Sequence, residues 1–543
     1  MAEERERDLA VLERDTSPWD LIVIGGGITG AGILREAARF GYRALLVEQR
    51  DYAWGTSSRS SKMVHGGLRY LASGDFRLTR DAVRERERML KEVPGLVDNL
   101  YYIMPHFRRQ FPGPGLFGLL LRIYEFFSAR HTRRFFRGES VLRWLPGLNR
   151  ENLVGGTRFS DAVTDDSRLV LRILQEAEEA GGRAVNYVSA DEIEPGRGGP
   201  AHVLLRETTG DDSPREWKVQ AHAVINATGA WTDRLRAQLG AEQVIRPLRG
   251  SHLIVPFWRL PVAVSLSLIH PRDRRPVFVY PWEGVTVIGT TDLDHEADVQ
   301  KEAVLDQGEL DYLLEAANFA FPDTKLRASD LISSWSGVRP VVSPGGPQSK
   351  TKPSKESREH SIFEDQGVIS VAGGKLTTFR LIAREVLSKA EKHLPVRRRP
   401  SRRNTENDRV FAPAEPKGRP RGVGARQWYR LQGRFGTRLP EVLAAGPLEP
   451  VGETDTLMAE LVWSARNEAV IHLDDLMLRR TRLGLLLPEG GRGWLPAIRE
   501  YCQPVLKWSD EKWQQEVERY LELWHESYSL PPVSAENGAA DTA

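Results

Sequence analysis

An α/β fold, α+β over the whole chain, follows from three stretches of this sequence. The first is Asp20 to Glu48, DLIVIGGGITGAGILREAARFGYRALLVE, a full nucleotide-binding β-α-β pattern that ends on an acid. In the second, Ser251 to Thr291, short apolar runs alternate with prolines at the spacing of an antiparallel sheet. The third, from about Gln427 to Leu523, carries helical periodicity. Together they predict a Rossmann-like dinucleotide-binding domain interleaved with an antiparallel-sheet substrate domain, followed by an all-α C-terminal domain.

Taken in order, residues 1–17 alternate acids and bases without an apolar core, so they read as a disordered leader and not as a secretory signal. Leu21 to Ile24 is an apolar run suited to a buried parallel strand, and Gly25, Gly27 and Gly30 supply the G-x-G-x-x-G spacing. Those glycines let a pyrophosphate approach the backbone at the positive end of the helix that begins near Ile28 and Thr29. Glu48, followed by Gln49, closes a second apolar run and places an acceptor where a ribose hydroxyl needs one. At this level NAD and FAD are equally good occupants.

The next stretch, Gly55 to Leu71, reads GTSSRSSKMVHGGLRYL. Helix capping accounts for one or two of the hydroxyls of Thr56, Ser57, Ser58, Ser60 and Ser61. It does not account for five of them beside Lys62, His65 and Arg69, whereas a phosphate-bearing ligand does. Further on, Leu169 to Ala180 reads as a helix, Arg183 to Val188 as a strand, and Ala223 to Ala227 as a buried strand entering Thr228-Gly229. His252 to Val255, Val277 to Tyr280 and Val285 to Ile288 are the short strands of the second layer. Val368 to Arg380, VISVAGGKLTTFR, returns to strand, glycine turn and helix, with the amides from Gly373 to Thr377 at the turn. Leu457 to His472 and Asp510 to Trp524 are the clearest C-terminal helices. The expected boundaries are 18–80, 150–240 and 335–395 for the nucleotide domain and 81–149 with 241–334 for the substrate and membrane-facing domain. A linker follows over 396–426, then the helical domain over 427–530 and a disordered tail over 531–543.

Composition restricts the partners. The 543 residues carry 76 basic and 74 acidic side chains, a net charge of +2, which argues against a general nucleic-acid binder. The basic run Arg397 to Asn404 is most simply a solvated linker, with nucleic-acid or anionic-lipid contact as the sharper alternative. The single cysteine, Cys502, excludes an intramolecular disulfide and suits a reducing compartment. No run reaches the roughly 18 apolar residues of a membrane-spanning helix. Gly115 to Phe127, GLFGLLLRIYEFF, is too short, and Arg108, Arg109, Arg130, Arg133, Arg134 and Arg137 flank it. It reads equally as a helix lying on an anionic membrane or as a buried helix with solvated basic ends.

These motifs resemble the FAD-dependent glycerol-3-phosphate dehydrogenases, within the glycine/D-amino-acid-oxidase-like flavoproteins. The matching segments are IGGGITGAG, GTSSRSSKMVHGGLRYL, DDSRLVL, NATGAW, RGSHLIVP, VFVYPW, VIGTTD, WSGVRP and AGGKLTTFR, in family order from about residue 18 to 385, with LRRTRLGLL in the helical part. The TSSRSSK…HGGLRYL and SGVRP signatures discriminate far better than the glycine motif. The resemblance implies noncovalent FAD held by Gly25, Gly27, Ile28, Thr29, Gly30, Glu48, Gln49, Thr56, Ser57, Ser58, Ser60, Ser61, Lys62, Gly66, Gly67, Val188, Ala227, Thr228, Gly229, Gly373, Gly374, Lys375, Leu376 and Thr377. It implies oxidation of glycerol 3-phosphate, with Arg69, Tyr70, Arg339, Lys375 and His252 on the substrate. His65 is the first choice of base and Arg339 its competitor near the reacting carbon. No metal is implied.

The implied electron acceptor is a membrane quinone, with molecular oxygen as the oxidase variant, whose long insertion this chain lacks. The implied partners are thus glycerol 3-phosphate, the quinone and an anionic membrane surface, at the inner face of the cytoplasmic membrane. No nucleic acid is expected, and a homodimer stays open. Two alternatives stay open as well: an amino-acid or hydroxy-acid oxidase of the same fold, and a non-catalytic flavin-binding adaptor.

Overall fold

A computed structural model describes residues 2–68, 71, 75–128, 131–196, 198–210, 214–343, 346, 359–395, 409–415 and 418–532. Arg69 and Tyr70 lie outside the described residues, as do Arg130, about half of the expected linker and nearly all of the expected tail.

The strand Trp19–Ile24 is buried along its whole length, as an apolar run covered on both faces of a parallel sheet must be. Parallel neighbours flank it: Ala44–Glu48 on one side, with Leu21 opposite Ala44, and Glu216–Asn226 on the other, with Leu21 opposite Ala223. Arg183–Asn186 and Val368–Ala372 extend the sheet outward, and Ser361–Asp365 closes one edge as an antiparallel hairpin. The helices Ile28–Arg39, Asp166–Glu179 and Phe379–Ala390 cover one face through Ile33, Ile173 and Phe379. Gly32 is needed there, because a Cβ would come within 2.8 Å of the Phe379 ring.

The leader differs from its expectation. Ala2–Arg14 forms a helix that buries Leu9 and Leu12 against the other face of the sheet, beside Trp19 and Val185. Its charges are paired and not merely solvated: Arg5 donates to Asn186 O at 3.2 Å and to Glu207 at 3.0 Å, and Asp8 meets Arg183. Two apolar side chains were sufficient once a docking surface existed, a condition that the leader's own composition does not display.

Among the described residues the second sheet has ten strands. Ile245–Pro256 lies between Val285–Gly289 and Ser333–Val342, pairing His252 with Gly289 on one side and with Trp335 on the other. Val97–Phe107 pairs along Leu153–Thr164, and among the described residues the one parallel pairing in this sheet joins Ser265–Ile269 to Val97–Phe107. Leu153–Thr164 and Ser333–Val342 thus belong to the second sheet, although the expected boundaries assign most of both to the nucleotide domain. Periodicity identifies a strand but not its partner.

The C-terminal helices, among them Ala425–Phe435, Met458–Asn467, Leu495–Leu506 and Asp510–Ser527, bury Leu461, Leu476, Ile498 and Trp513 in one core with Tyr280, Trp282 and Trp335 of the second sheet. The free thiol of Cys502 is buried in that core, where the lack of polar surroundings pushes its pKa up to about 12. A thiol in that state packs and does not react.

Candidate active site

At the first strand end, Gly25 has φ +113°, and a Cβ there would lie 2.6 Å from Ala227 O. A Cβ on Gly30 would overlap Gly25 O, and one on Gly27 would lie 3.0 Å from Ser57 Oγ. No side chain caps the helix Ile28–Arg39 at Gly27. Its first-turn amides, which have no partner within the helix, are therefore suited to phosphate oxygens. Ser57 Oγ already accepts from Ile28 N at 3.0 Å and borders that anion site. Glu48 accepts from Gly26 N at 2.7 Å and from Arg50 N at 2.9 Å. Burial raises the Glu48 pKa and the two backbone donors oppose it, so a carboxylate with spare lone pairs is held where a diol would donate. Val188 is buried at the start of the strand Val188–Glu194, Gln49 O accepts from Thr208 Oγ1 at 2.6 Å, and Gly229 turns away with φ +61° beside Ala227 and Thr228. This cradle fits the adenosine and pyrophosphate half of a dinucleotide.

The loop after the second strand is gripped from both domains. Thr56 Oγ1 donates to Val338 O at 2.5 Å, Trp335 Nε1 to Ser60 O at 3.2 Å, and Tyr280 OH to Ser61 O at 2.8 Å. Ser60 donates through N and Oγ to Asp166 Oδ2, at 3.0 and 2.7 Å. Lys62 is fully buried; its ammonium donates to Asp166 Oδ1 at 2.9 Å and Ser58 O at 3.0 Å, 4.6 Å from the Trp335 ring centre and 4.9 Å from that of Trp282. Of the six side chains expected on the cofactor, Thr56, Ser60 and Lys62 are engaged by the protein itself, and Ser58 Oγ lies 3.5 Å from Gly55 O. Ser57 and Ser61 are the two hydroxyls of this loop that stand at functional elements. Sequence reasoning did not single out Arg59, whose buried guanidinium bonds Trp54 O, Glu302 and Tyr528 OH.

His252 and Arg339 lie on the same face of the second sheet. The His252 ring stacks on Trp335 with centroids 4.6 Å apart and 10° between planes, and its Nε2 is 2.9 Å from Ser61 Oγ. Burial, followed by the charges of Arg339 and Lys62, holds its pKa well below the usual histidine range, so the imidazole is neutral. Arg339 donates to Asp292 Oδ1 and Thr290 Oγ1, each at 3.1 Å, and lies across Gly250, where any Cβ would overlap the guanidinium.

The glycine turn Gly373-Gly374, with φ of +73° and +83°, leads through Lys375 into the short helix Leu376–Thr378. Thr377 Oγ1 donates to His65 O at 3.3 Å and so brings this turn to the segment that carries His65. The next residues serve a different purpose from the expected one. Gly66 N donates to Asp161 Oδ1 at 2.9 Å, and Tyr124 OH occupies the space that a Gly66 side chain would need. Asp161 Oδ1 also accepts from Tyr124 OH at 2.8 Å and from Arg86 at 2.5 Å. Gly66 is therefore set by protein packing, and Gly67 turns with φ +80°.

A largely parallel sheet with this glycine cradle, interleaved along the chain with a largely antiparallel second sheet that grips the loop after Glu48, defines the two-domain flavoprotein oxidoreductases. Residues 20–387 match the family described as FAD dependent oxidoreductase, and residues 383–513 match the C-terminal domain of alpha-glycerophosphate oxidase. The chain is 34% identical over 536 residues to glycerol-3-phosphate dehydrogenase 2 of Mycobacterium tuberculosis, covering 95% of this chain and 90% of that one. It is 27% identical over 562 residues to the aerobic glycerol-3-phosphate dehydrogenase of Bacillus subtilis, covering 96% and 97%. The crystal structure of the glycerol-3-phosphate dehydrogenase from Bacillus halodurans complexed with FAD superposes with a TM-score of 0.74 at 27% identity, covering 98% and 99%. The chain belongs to the glycerol-3-phosphate dehydrogenase family of FAD-dependent oxidoreductases, and its cofactor is FAD.

Proposed function

We propose that this chain oxidises sn-glycerol 3-phosphate to dihydroxyacetone phosphate and passes the electrons to a membrane quinone. The observation that carries the reading is a pair of contacts: Ser61 with His252 beside Arg339, and Thr377 with the His65 segment beside Lys375. Bound FAD supplies the hydride acceptor. Arg339 and Lys375, with Arg69, supply the cations that a phosphate dianion needs, and a guanidinium fork matches its oxygens. Tyr70 adds a hydroxyl donor. His65 takes the alcohol proton, and Arg339 favours the developing alkoxide by its charge.

The acceptor side rests on the helix Pro114–Phe126. Phe117, Leu121 and Tyr124 face inward, whereas Leu119 is 54% and Phe126 83% exposed, with Leu116 and Ile123 beside them on the outer face. Such a face, bordered by Arg108, Arg109, Arg133, Arg134 and Arg137, suits the headgroup and acyl boundary of an anionic leaflet, where a quinone is reached. Among the described residues no helix is long and apolar enough to cross a membrane.

Anaerobic addition of glycerol 3-phosphate to the flavin-loaded protein should bleach the oxidised flavin band, and glycerol or D-alanine should not. Absence of bleaching overturns the substrate assignment. For the acceptor, a short-chain quinone should reoxidise the flavin faster than air does, and stoichiometric peroxide would instead identify an oxidase. Binding to anionic vesicles should fall with salt and be lost in Leu119→Glu/Phe126→Glu.

A further inference from the structure

The C-terminal domain sends buried arginines back to the nucleotide domain. Arg480 donates to Asp51 Oδ1 at 2.8 Å, Arg434 to Asp165 Oδ2 at 2.9 Å, and Arg482 Nε to Asp165 Oδ1 at 3.0 Å. The other arm of Arg482 reaches Ser58 O at 2.9 Å and also Asp166 Oδ1. All of these groups are buried. Buried charges persist only when paired and hydrogen-bonded, so this seam has a defined geometry.

Arg482 differs from its neighbours in what it grips. It holds the turn of the flavin-side loop at one end, through Ser58 O. At the other end it acts through Asp166, whose second oxygen takes both Ser60 N at 3.0 Å and Ser60 Oγ at 2.7 Å. The residues flanking that turn are the two hydroxyls placed at functional elements: Ser57 on Ile28 N, and Ser61 on His252. The planar Arg482 guanidinium reaches Asp165, Asp166 and Ser58 O together from fixed directions, where the Lys62 ammonium takes Asp166 and Ser58 O. Arg482 does this from a left-handed backbone conformation, φ +66°, one that a non-glycine residue adopts only where its surroundings determine it.

We infer that Arg482 is a positioning residue for the reaction: through Ser58 O and Asp166 the C-terminal domain fixes where the Ser57 and Ser61 hydroxyls stand. The helical domain is then a working part of the active site. This inference uses the proposed glycerol-3-phosphate oxidation only for its turnover readout.

The test compares Arg482→Met with Arg430→Met in the full-length protein. Arg430 is a matched control: it is buried in the same domain and paired with Glu460 at 2.8 Å and Thr456 at 3.0 Å, with its further contact to Glu283. In the flavin-free protein, Arg482→Met should raise hydrogen exchange at the amides of residues 57–61 about tenfold over wild type. Arg430→Met should lower thermal stability and leave those amides protected. In the flavin-loaded enzyme Arg482→Met should alter the visible circular dichroism of the flavin and lower kcat about tenfold, a loss of about 1.4 kcal/mol of transition-state stabilisation. Arg482→Lys should recover stability more than turnover. Ser60→Ala, which removes the Oγ bond to Asp166 and the bond that Oγ accepts from Lys62 N at 2.9 Å while keeping Ser60 N on Asp166, should reproduce part of the exchange and dichroism change, and it decides the matter if Arg482→Met does not fold. Exchange at 57–61 and flavin dichroism indistinguishable from the Arg430→Met protein, or unchanged in Ser60→Ala, would overturn the inference. A wild-type flavin that glycerol 3-phosphate does not bleach would count against the substrate and leave the exchange result standing.

Discussion

Ser61 Oγ lies 2.9 Å from His252 Nε2, so a hydroxyl from the loop beyond the glycine motif and an imidazole from the second sheet share one hydrogen bond across the domain boundary. Burial, Arg339 and Lys62 depress the His252 pKa, and its neutral form therefore predominates throughout the working range. The sign follows: stability from this neutral state is present above the ordinary value of 6.5 and is lost as pH falls through and below it, because the unfolded chain then binds the extra proton. His252→Gln should lower kcat/KM about tenfold, as expected for a lost hydrogen-bonding group, and leave the acid limb of the pH profile in place. His65→Gln should remove that limb. A limb that disappears in His252→Gln would assign the titration to His252 instead.

Arg339 is held by Asp292 and Thr290 and laid flat over Gly250, so its fork has one orientation. Replacing a fork by a point charge costs a charged hydrogen bond, about 1.5–3 kcal/mol. Arg339→Lys should accordingly raise KM for glycerol 3-phosphate by about 10- to 100-fold and weaken competitive inhibition by inorganic phosphate in parallel. A change confined to kcat would place Arg339 at the reacting carbon and not on the phosphate.

The parts of this site legible in the sequence are those whose cause is local. Gly30 packs on Gly25 O five residues back, Glu48 accepts from Gly26 N within one β-α-β unit, and Gly373-Gly374 makes its turn within four residues, so spacing reveals them. Ser60 and Lys62 were readable as polar donors, but their acceptor Asp166 comes from another element and Arg482 from another domain. Nothing near Ser60 announces that its hydroxyl faces a carboxylate and not a cofactor. The helix Pro114–Phe126 shows the same limit: its composition suits a core or a membrane, and the exposure of Leu119 and Phe126 is decided by packing. The leader helix and the sheet membership of Leu153–Thr164 were hidden for the same reason, since both depend on a surface supplied elsewhere in the chain.

Gly66 and Tyr124 form a second testable pair. A Cβ at Gly66 would overlap the Tyr124 hydroxyl, which itself donates to Asp161 at 2.8 Å, and would lie 2.6 Å from Val83 Cγ2. Overpacking of this kind costs about 1–3 kcal/mol. Removal of the hydroxyl leaves Asp161 with Gly66 N and Arg86, at a cost of about 0.5–1.5 kcal/mol. Gly66→Ala/Tyr124→Phe should therefore be more stable to urea than the sum of the single variants allows. Additive losses would mean that Gly66 is required by something other than Tyr124.

Lys62 gives a pH dependence that can be isolated. Burial and the Arg482 charge lower its pKa from 10.5 to about 8, against the opposing pull of Asp166 and Asp165. The unfolded chain therefore binds the proton more tightly than the folded one between these two values, and stability from this group rises as pH climbs from about 8 to 10.5. Below about 8 the charged ammonium is retained at a cost, offset in part by the Trp282 and Trp335 rings and the Asp166 oxygen. Lys62→Met removes the titration and leaves Asp166 paired with Arg482. The unfolding free energy of wild type minus that of Lys62→Met should become more favourable to wild type as pH is raised across this window, as read from urea titrations at its two ends. A difference that stays constant would show that the ammonium keeps its proton throughout. Asp166 would then pair with two permanent cations, and the His252 imidazole would face the Lys62 charge at every working pH.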